Sequence, residues 1–516
     1  MKKINCVILA LICLVLNGYA QSQVKVTERQ VTMPTYIVAP NDKNPVFYRN
    51  ENHQGAERHV YPLKLNNQYT NERVMKDWKT VVLENEYIEL GVTPDIGGKV
   101  YYATDKTNNY HFIYKNEVVR PGNIGMAGAW VSGGIEWCVF HHHRASTFQS
   151  LDYTTTENPD GSKTIWVAEH EPRHGMRWTV GVTIFPGKSY FKAESRIINS
   201  TPLTNTFLVW ANVAVHVNKN YQAIFPPSAQ VVKFHSVTDI TQWPFSYNVY
   251  RGHNFEGTDI SWWKNVLTSN SFFIHDLQEN FMGGYDHGKN SGMVHIGNHH
   301  ITKGAKLWEW GSGPAGQATE GLLTENSGPY AELMVGTWST NQPDYSWIRP
   351  YEVKQWEQYW YPVRGIEGFK NANLNGAVNL EPRNEKNKYN VFLGYYTTSK
   401  VDNAKVILKN KGETVFEKNI SISPDKPFAE TIKLTGAYNL TDLYTQLIDS
   451  NTGETLVDYQ PVERQMIANE DLPKPWKGYP AVDKLKTNEE LFLTGQRIEQ
   501  FYAPRNNPMD YYNAVL

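Results

Sequence analysis

From Val24 to about Gln460 the chain repeats its apolar residues at every second position, and this period is what most limits the folds open to it. In "SYFKAESRIIN" (189–199), Tyr190, Lys192, Glu194 and Arg196 alternate with Phe191, Ala193, Ser195 and Ile197. A period of two is that of a half-buried strand, since successive side chains point to opposite faces. "ENPDGSK" (157–163), "KNKGET" (409–414) and "SNTGET" (450–455) place turn residues between such runs and read as hairpins. No heptad, tandem repeat or glycine-rich nucleotide loop interrupts the pattern. The expected class is all-β.

The ends differ. "MKKINCVILALICLVLNGYAQSQ" carries two lysines, a short apolar run and Gly18-Tyr19-Ala20, the pattern of a secretory signal peptide cleaved after Ala20. The run is shorter than the about 20 residues a spanning helix needs, and no other long apolar run follows, so no membrane span is expected. Ile12 before Cys13 argues against lipid attachment. Cys138 is then the one cysteine of the mature chain, and no internal disulfide can form. A formal net charge of −2 without a basic stripe makes nucleic acid an unexpected partner. The segments expected are a signal (1–20), a β-rich lead-in (21–70), one large β-unit (71–365), a small β-sandwich (366–465) opened by a Gly/Asn-rich linker at 367–382, and a connector with a helical tail (466–516). In the tail, Thr487 and Glu490 form a capping box before Leu491, Ile498, Phe501 and Tyr502 on one helix face. A second helix begins at "MDYYNAVL", and its unused apolar face predicts that it docks on the body or that the natural protein continues.

Four stretches concentrate chemistry. "WVSGGIEWCVFHHHR" (130–144) joins two glycines, Glu136, three histidines and Arg144. Adjacent histidines on a strand point to opposite faces, so His141 and His143 share a side that His142 does not. With no cysteine pair a structural zinc site lacks its usual ligand set, and the stretch reads as a sugar-binding rim. Glu136, His142 and Arg144 make its polar floor, Trp130 and Trp137 lie beside it, and Gly133-Gly134 let backbone approach the ligand. In "FLVWANVAVHVNKN", Trp210, Asn212, Ala214 and His216 fall on one strand face, and His216 can give a proton near neutral pH. "GGYDHGKNSGMVHIGNHHITKGAKLWEWG" (283–311) supplies Asp286, His287, Trp308 and Trp310. In "PYAELMV", Tyr330 and Glu332 share a face that must open on something polar, because a glutamate is rarely buried unpartnered. Such a carboxylate has a raised proton affinity and suits acid–base work.

These motifs, Trp130–Glu136, His142–Arg144, Trp210–Val215, Tyr285–His287, Lys306–Gly311 and Gly328–Trp347, resemble those of the bacterial family called domain of unknown function 5107, over about residues 40–365. Ala129 departs from the proline the family tends to carry there. The resemblance implies a galactose mutarotase-like β-supersandwich with an open sugar cleft, followed by a tetratricopeptide-like tail. It also implies a histidine that protonates the ring oxygen and a glutamate that takes the anomeric proton. His216, after Asn212, and Glu332 match those positions loosely.

Together the readings point to a periplasmic or secreted carbohydrate-active protein with a carbohydrate ligand, no cofactor and no metal. A glycoside hydrolase needs two carboxylates, and Glu136 with Glu332 is the best pair. An epimerase needs His216 and Glu332. Secretion favours hydrolysis, since free sugars mutarotate unaided. The remaining readings are a non-catalytic glycan binder, which would keep Trp and Arg residues but tolerate loss of Glu332, and a scaffold whose tail recruits a protein. Trp130, Arg144, Trp308, Trp310, Asp286, His287 and Tyr330 are expected around one cleft with Glu332. N-terminal sequencing of the mature protein is expected to start at Gln21; a start at Met1 or a lipid on Cys13 contradicts the signal.

Overall fold

The alternation in residues 189–199 becomes the strand Phe191–Asn199, in which Phe191, Ala193, Ser195 and Ile197 are buried and Arg196 is exposed. The same rule, applied strand after strand, builds two large antiparallel sheets. The computed structural model describes residues 23–40, 68–123, 129–140, 143–144, 146–171, 175–340, 345–383, 389–500 and 506–516. The signal segment lies outside the described residues.

The larger sheet has twelve strands. Its middle runs Lys99–Asp105, Ile135–Cys138, Val209–His216, Tyr330–Thr337, Gly304–Glu309 and Asn270–Ile274. The lead-in is part of this sheet: Lys25–Val38 is its edge strand, paired along most of its length with Tyr69–Glu84. The second sheet has eight strands, with Phe191–Asn199 and Val353–Arg364 at its centre. One face of the larger sheet, carrying Ile135, Val213, Leu307 and Leu333, packs against Val182, Phe191, Ile197 and Trp360 of the other. All eight of those side chains are buried, and this apolar layer is the main core. Its opposite face carries the polar residues.

"ENPDGSK" is a tight turn, with Asn158 N donating to Ser162 O at 2.9 Å. "KNKGET" and "SNTGET" also join paired strands. The segment expected as a linker is not one. Gly376–Pro382 is a full strand of the small sandwich, in which Ala377, Val378 and Leu380 are buried; Asn373 shapes the turn before it, and Asn379 within it donates to Ile366 O and Glu367 O. Two four-stranded sheets enclose a separate core there. Tyr396 of the small sandwich stacks on Tyr361 of the main body with ring planes 4° apart, and its hydroxyl meets Ser189 Oγ at 2.9 Å.

In the tail the capping box forms as the sequence predicts. Glu490 N donates to Thr487 Oγ1 at 3.1 Å and Thr487 N to Glu490 Oε2 at 3.0 Å. Leu491 and Ile498 bury against Tyr511 of the second helix, Pro508–Val515. Phe501 and Tyr502 lie outside the described residues.

Gly133 and Gly134 have φ of +90° and +66°. A Cβ on Gly134 would lie 2.2 Å from the Val100 carbonyl oxygen. The pair thus lets one strand enter the sheet beside another. Gly134→Ala is expected to lower stability by at least ~2 kcal/mol, read as a fall in melting temperature or loss of soluble protein. Gly436→Ala, whose Cβ meets nothing within 4 Å, is expected to leave melting unchanged.

Candidate functional site

Register brings the chemistry-bearing side chains together. Glu136 lies opposite Asn212, and Cys138 opposite Trp210. One strand on, Ala214 faces Glu332 and His216 faces Tyr330. Beyond that, Trp308 pairs with Glu332 and Lys306 with Met334. Because side chains two apart share a face, Glu136, Asn212, Glu332, Trp308 and Lys306 all project from the side of the sheet away from the main core.

Glu136 is the fixed point. Its Oε2 accepts from Trp130 Nε1 at 2.9 Å, His143 Nδ1 at 2.9 Å and Asn212 Nδ2 at 3.4 Å, and its Oε1 accepts from Thr147 Oγ1 at 2.7 Å. Burial alone would raise this carboxyl. The charge and hydrogen bond of His143, helped by Lys99 and Thr147, outweigh it and hold Glu136 well below the usual carboxylate range. Burial likewise opposes charge on His143, and Glu136 overrides it, so the imidazole is raised and favours its cationic form. Its side chain keeps 16% exposure, against 3% for Glu136.

Glu332 is a different carboxyl. Burial pushes it up to about 7, against the attraction of His143 and Lys306. Its one hydrogen bond among the described residues is from Asn212 Nδ2, at 3.3 Å. One amide nitrogen therefore touches both carboxylates, while Asn212 Oδ1 is buried with no partner among the described residues. Two buried ammonium groups accompany them. Lys99 Nζ donates to Val131 O at 2.7 Å, and burial lowers it to about 8 against the pull of Glu136 and Glu332. Burial also lowers Lys306 to about 8, against the pull of Glu332.

Glu136, Cys138 and His143 hold ligand atoms within 4.8 Å of one another, a trio of metal-ligand type. Its electrostatics fit a proton network better. Glu136 Oε2 already receives three N–H groups, and Lys99 and Lys306 add positive charge beside it.

A model of the domain of unknown function (DUF5107) matches residues 56–363, more than half of the chain. The chain belongs to the DUF5107 family. Residues 371–459 match the second domain of YphG-like proteins. Among solved structures, a TPR-domain containing protein from Parabacteroides distasonis is similar at 23% identity with a TM-score of 0.58; the match covers 66% of this chain and 56% of that one. This chain thus spans little more than half the length of that protein. A galactose mutarotase-like protein from Clostridium acetobutylicum matches at 12% identity with a TM-score of 0.40, over 56% of this chain and 96% of that one. Another, from Lactobacillus casei, matches at 9% identity with a TM-score of 0.36, over 55% and all of that chain.

Within the DUF5107 domain, the structure gathers Glu332, Glu136, Asn212, Trp130, Tyr330, Trp308 and Trp310 on one face. Trp310 Nε1 donates to Tyr330 Oη at 3.0 Å, and Trp308 meets Trp310 edge-on at 4.5 Å. The half-buried indoles of Trp308 and Trp310 form its aromatic edge.

Other expected members fall elsewhere. Arg144 is 1% exposed and wholly committed: it donates to Trp137 O, Ser146 Oγ, Gly97 O and Glu169 Oε2, and stacks over Trp178. It ties the two sheets. Trp137 points into the main core, donating to Gly98 O. Asp286 is 0% exposed and closes a turn, accepting from Gly288 N, Lys289 N and Asn218 Nδ2. Asp286 ends a strand of the eight-stranded sheet and the neighbouring His287, which pairs with Gln222 and packs on Trp262, lies in the turn that follows, so neither is on this face. His216 does share the Glu332 face, but burial, with Lys289 and His111, pushes it down to about 3. Its ring packs 4.1 Å from Tyr114. It is neutral at physiological pH and has no imidazolium proton to give. His142 lies outside the described residues.

His143, Lys99 and Lys306 are the members that sequence reasoning missed. The side shared by His141 and His143 was the available signal for the first, and Lys306 opens the "KLWEWG" motif.

A raised Glu332 fixes a sign. The folded state holds its proton between the ordinary value of 4.5 and about 7, so ionising it across that window disfavours folding. Glu332→Gln removes that penalty. The melting temperature of the variant relative to wild type is expected to rise from pH 5 to pH 8, by a few degrees. A difference that stays constant or falls across this range contradicts the assignment.

Proposed function

We propose that this face binds a carbohydrate and moves protons on it, with His143 as the acid and Glu332 as the base. The observation that carries the reading is a carboxyl pushed up to about 7 on one face with a histidine held cationic by a second, permanently ionised carboxylate. General acid–base groups work best when their proton affinity lies near the operating pH. Glu332 meets that condition and has a single hydrogen bond to give up among the described residues. His143 is oriented by Glu136 through Nδ1, so Nε2–H is the proton it can deliver.

The chemistry balances as an epimerase-type reaction on an aldose. His143 gives a proton to the ring oxygen while Glu332 takes one from the anomeric hydroxyl, the C1–O5 bond opens, and reclosure on the other face returns both protons. The indole edges of Trp308 and Trp310 suit the apolar faces of a sugar ring, and Asn212 Oδ1 is a waiting acceptor for a hydroxyl. The galactose mutarotase-like names among the similar structures agree with this substrate class.

A glycoside hydrolase using Glu136 and Glu332 is the second reading, favoured by the Asn212 amide that touches both. Against it, the four donors on Glu136 leave that carboxylate little freedom to attack or to activate water. The signal-like N-terminus supports action outside the cytoplasm under either reading, and the helical tail supports a protein partner.

Anomer exchange followed by NMR over a panel of free sugars, with mass spectrometry of oligosaccharide products, separates the readings. Under the proposal Glu332→Gln lowers turnover by about 10²–10⁴-fold with binding retained, and His143→Gln acts similarly. Turnover unchanged in both variants removes Glu332 and His143 from the reaction, and binding with no turnover in the wild type leaves a binding protein. Released oligosaccharide products without anomer exchange establish the hydrolase.

A further inference from the structure

Lys306 is 3% exposed, yet no carboxylate lies within ion-pair distance of its ammonium among the described residues. Its contacts are the faces of Phe273, at 4.6 Å, and Trp210, at 5.8 Å, and one long hydrogen bond of 3.4 Å to His235 Nε2. A buried ammonium normally has a partner. An ammonium held over two rings beside one imidazole keeps N–H donors directed at whatever occupies the face.

It does not stand alone. Lys233 pairs with Phe273 across one strand boundary and Phe273 with Lys306 across the next, so the two lysines flank one phenyl ring on the same face. His235 follows on the Lys233 side, its Nδ1 fixed by Ser271 Oγ at 2.7 Å and its ring 4.9 Å from Phe273. Three basic side chains from neighbouring positions thus surround Phe273.

Charge on the whole face is uneven. Glu136 and Glu332 are its carboxylates, and Glu136 is matched by His143. Lys99 and Lys306 remain against Glu332, which must carry a proton for part of any acid–base cycle. At that stage Lys306 lacks a nearby counter-charge, while Lys99 keeps that of Glu136. Low-dielectric surroundings make such an imbalance costly for the free protein and favourable for a ligand that corrects it.

We propose that the carbohydrate of this face is anionic, and that its carboxylate or sulfate ester docks on the Lys306 ammonium beside Phe273, while His235 Nε2 accepts from that ammonium. This rests on the reading of the face as a carbohydrate site and names the substrate class. The sugar ring lies toward Trp308 and Glu332, two positions along the same strands, and the anionic substituent points toward Lys306.

Ligand pairs that differ only in charge test it. Oligogalacturonate, oligoglucuronate and oligomannuronate are compared with their methyl-esterified forms, and sulfated galactans with their desulfated forms, by isothermal titration at low and high salt. The expected result is that at least one charged member binds at least ~10-fold more tightly than its neutral counterpart, with the difference shrinking as salt rises. Which series responds distinguishes carboxylate from sulfate. Lys306→Met is expected to abolish the preference, and Lys306→Arg to retain it. If Lys306→Met does not fold, the wild-type preference and Lys306→Arg still decide the matter. Equal affinity for charged and neutral members, or a preference that survives Lys306→Met, overturns the anionic assignment and leaves the carbohydrate reading standing. No binding to any carbohydrate, charged or neutral, overturns the underlying reading and this inference with it.

Discussion

A single buried carboxylate organises the polar half of this molecule. Glu136 is 3% exposed and accepts four hydrogen bonds, from Trp130, His143, Thr147 and Asn212. A carboxylate taken out of water without such donors would neutralise itself or unfold its surroundings. With them it stays ionised, and everything around it is set by that charge. It keeps His143 cationic and draws Lys99 into the sheet. It also orients the Asn212 amide, whose other carboxylate neighbour is Glu332.

Glu332 has the opposite character for the same reason. The donors are taken, so it is left with one hydrogen bond and a largely apolar surround of Tyr330, Met334 and Trp308. Two glutamates on adjoining positions of one sheet thus become an anion and a near-neutral titrating group. Such pairs, with proton affinities pushed apart by environment, are how acid and base roles are divided at one pH. The apolar face beneath, sealed by the second sheet, supplies the rigidity that holds those distances.

Much of this was legible from alternation alone. The period of two placed Trp210, Asn212 and His216 on one face and Tyr330 with Glu332 on another, and register then joined those faces. What alternation cannot provide is a partner across the sheet. Arg144 sits in a polar motif and reads as ligand-facing, but its guanidinium is consumed by two carbonyls, Ser146 and Glu169. Asp286 and His287 lie in an equally dense motif, yet they sit at the end of a strand of the other sheet and in the turn after it. His216 is on the right face, but packing on Tyr114 removes its charge. The alternation says nothing of Lys99 and Lys306, and only the third dimension shows them buried. The Gly/Asn-rich segment at 367–382 misled for a related reason: its apolar alternates are few, and their burial depends on the facing sheet of the small sandwich.

A crystal structure with a glycan fragment bound bears most directly on the role of the polar face. The prediction is a sugar ring against Trp308 and Trp310, with its anomeric oxygen within hydrogen-bond reach of Glu332 and a ring or glycosidic oxygen within reach of His143. A fragment bound in a defined pose elsewhere on the protein, with that face unoccupied and Glu332 still held by Asn212 alone, would contradict it.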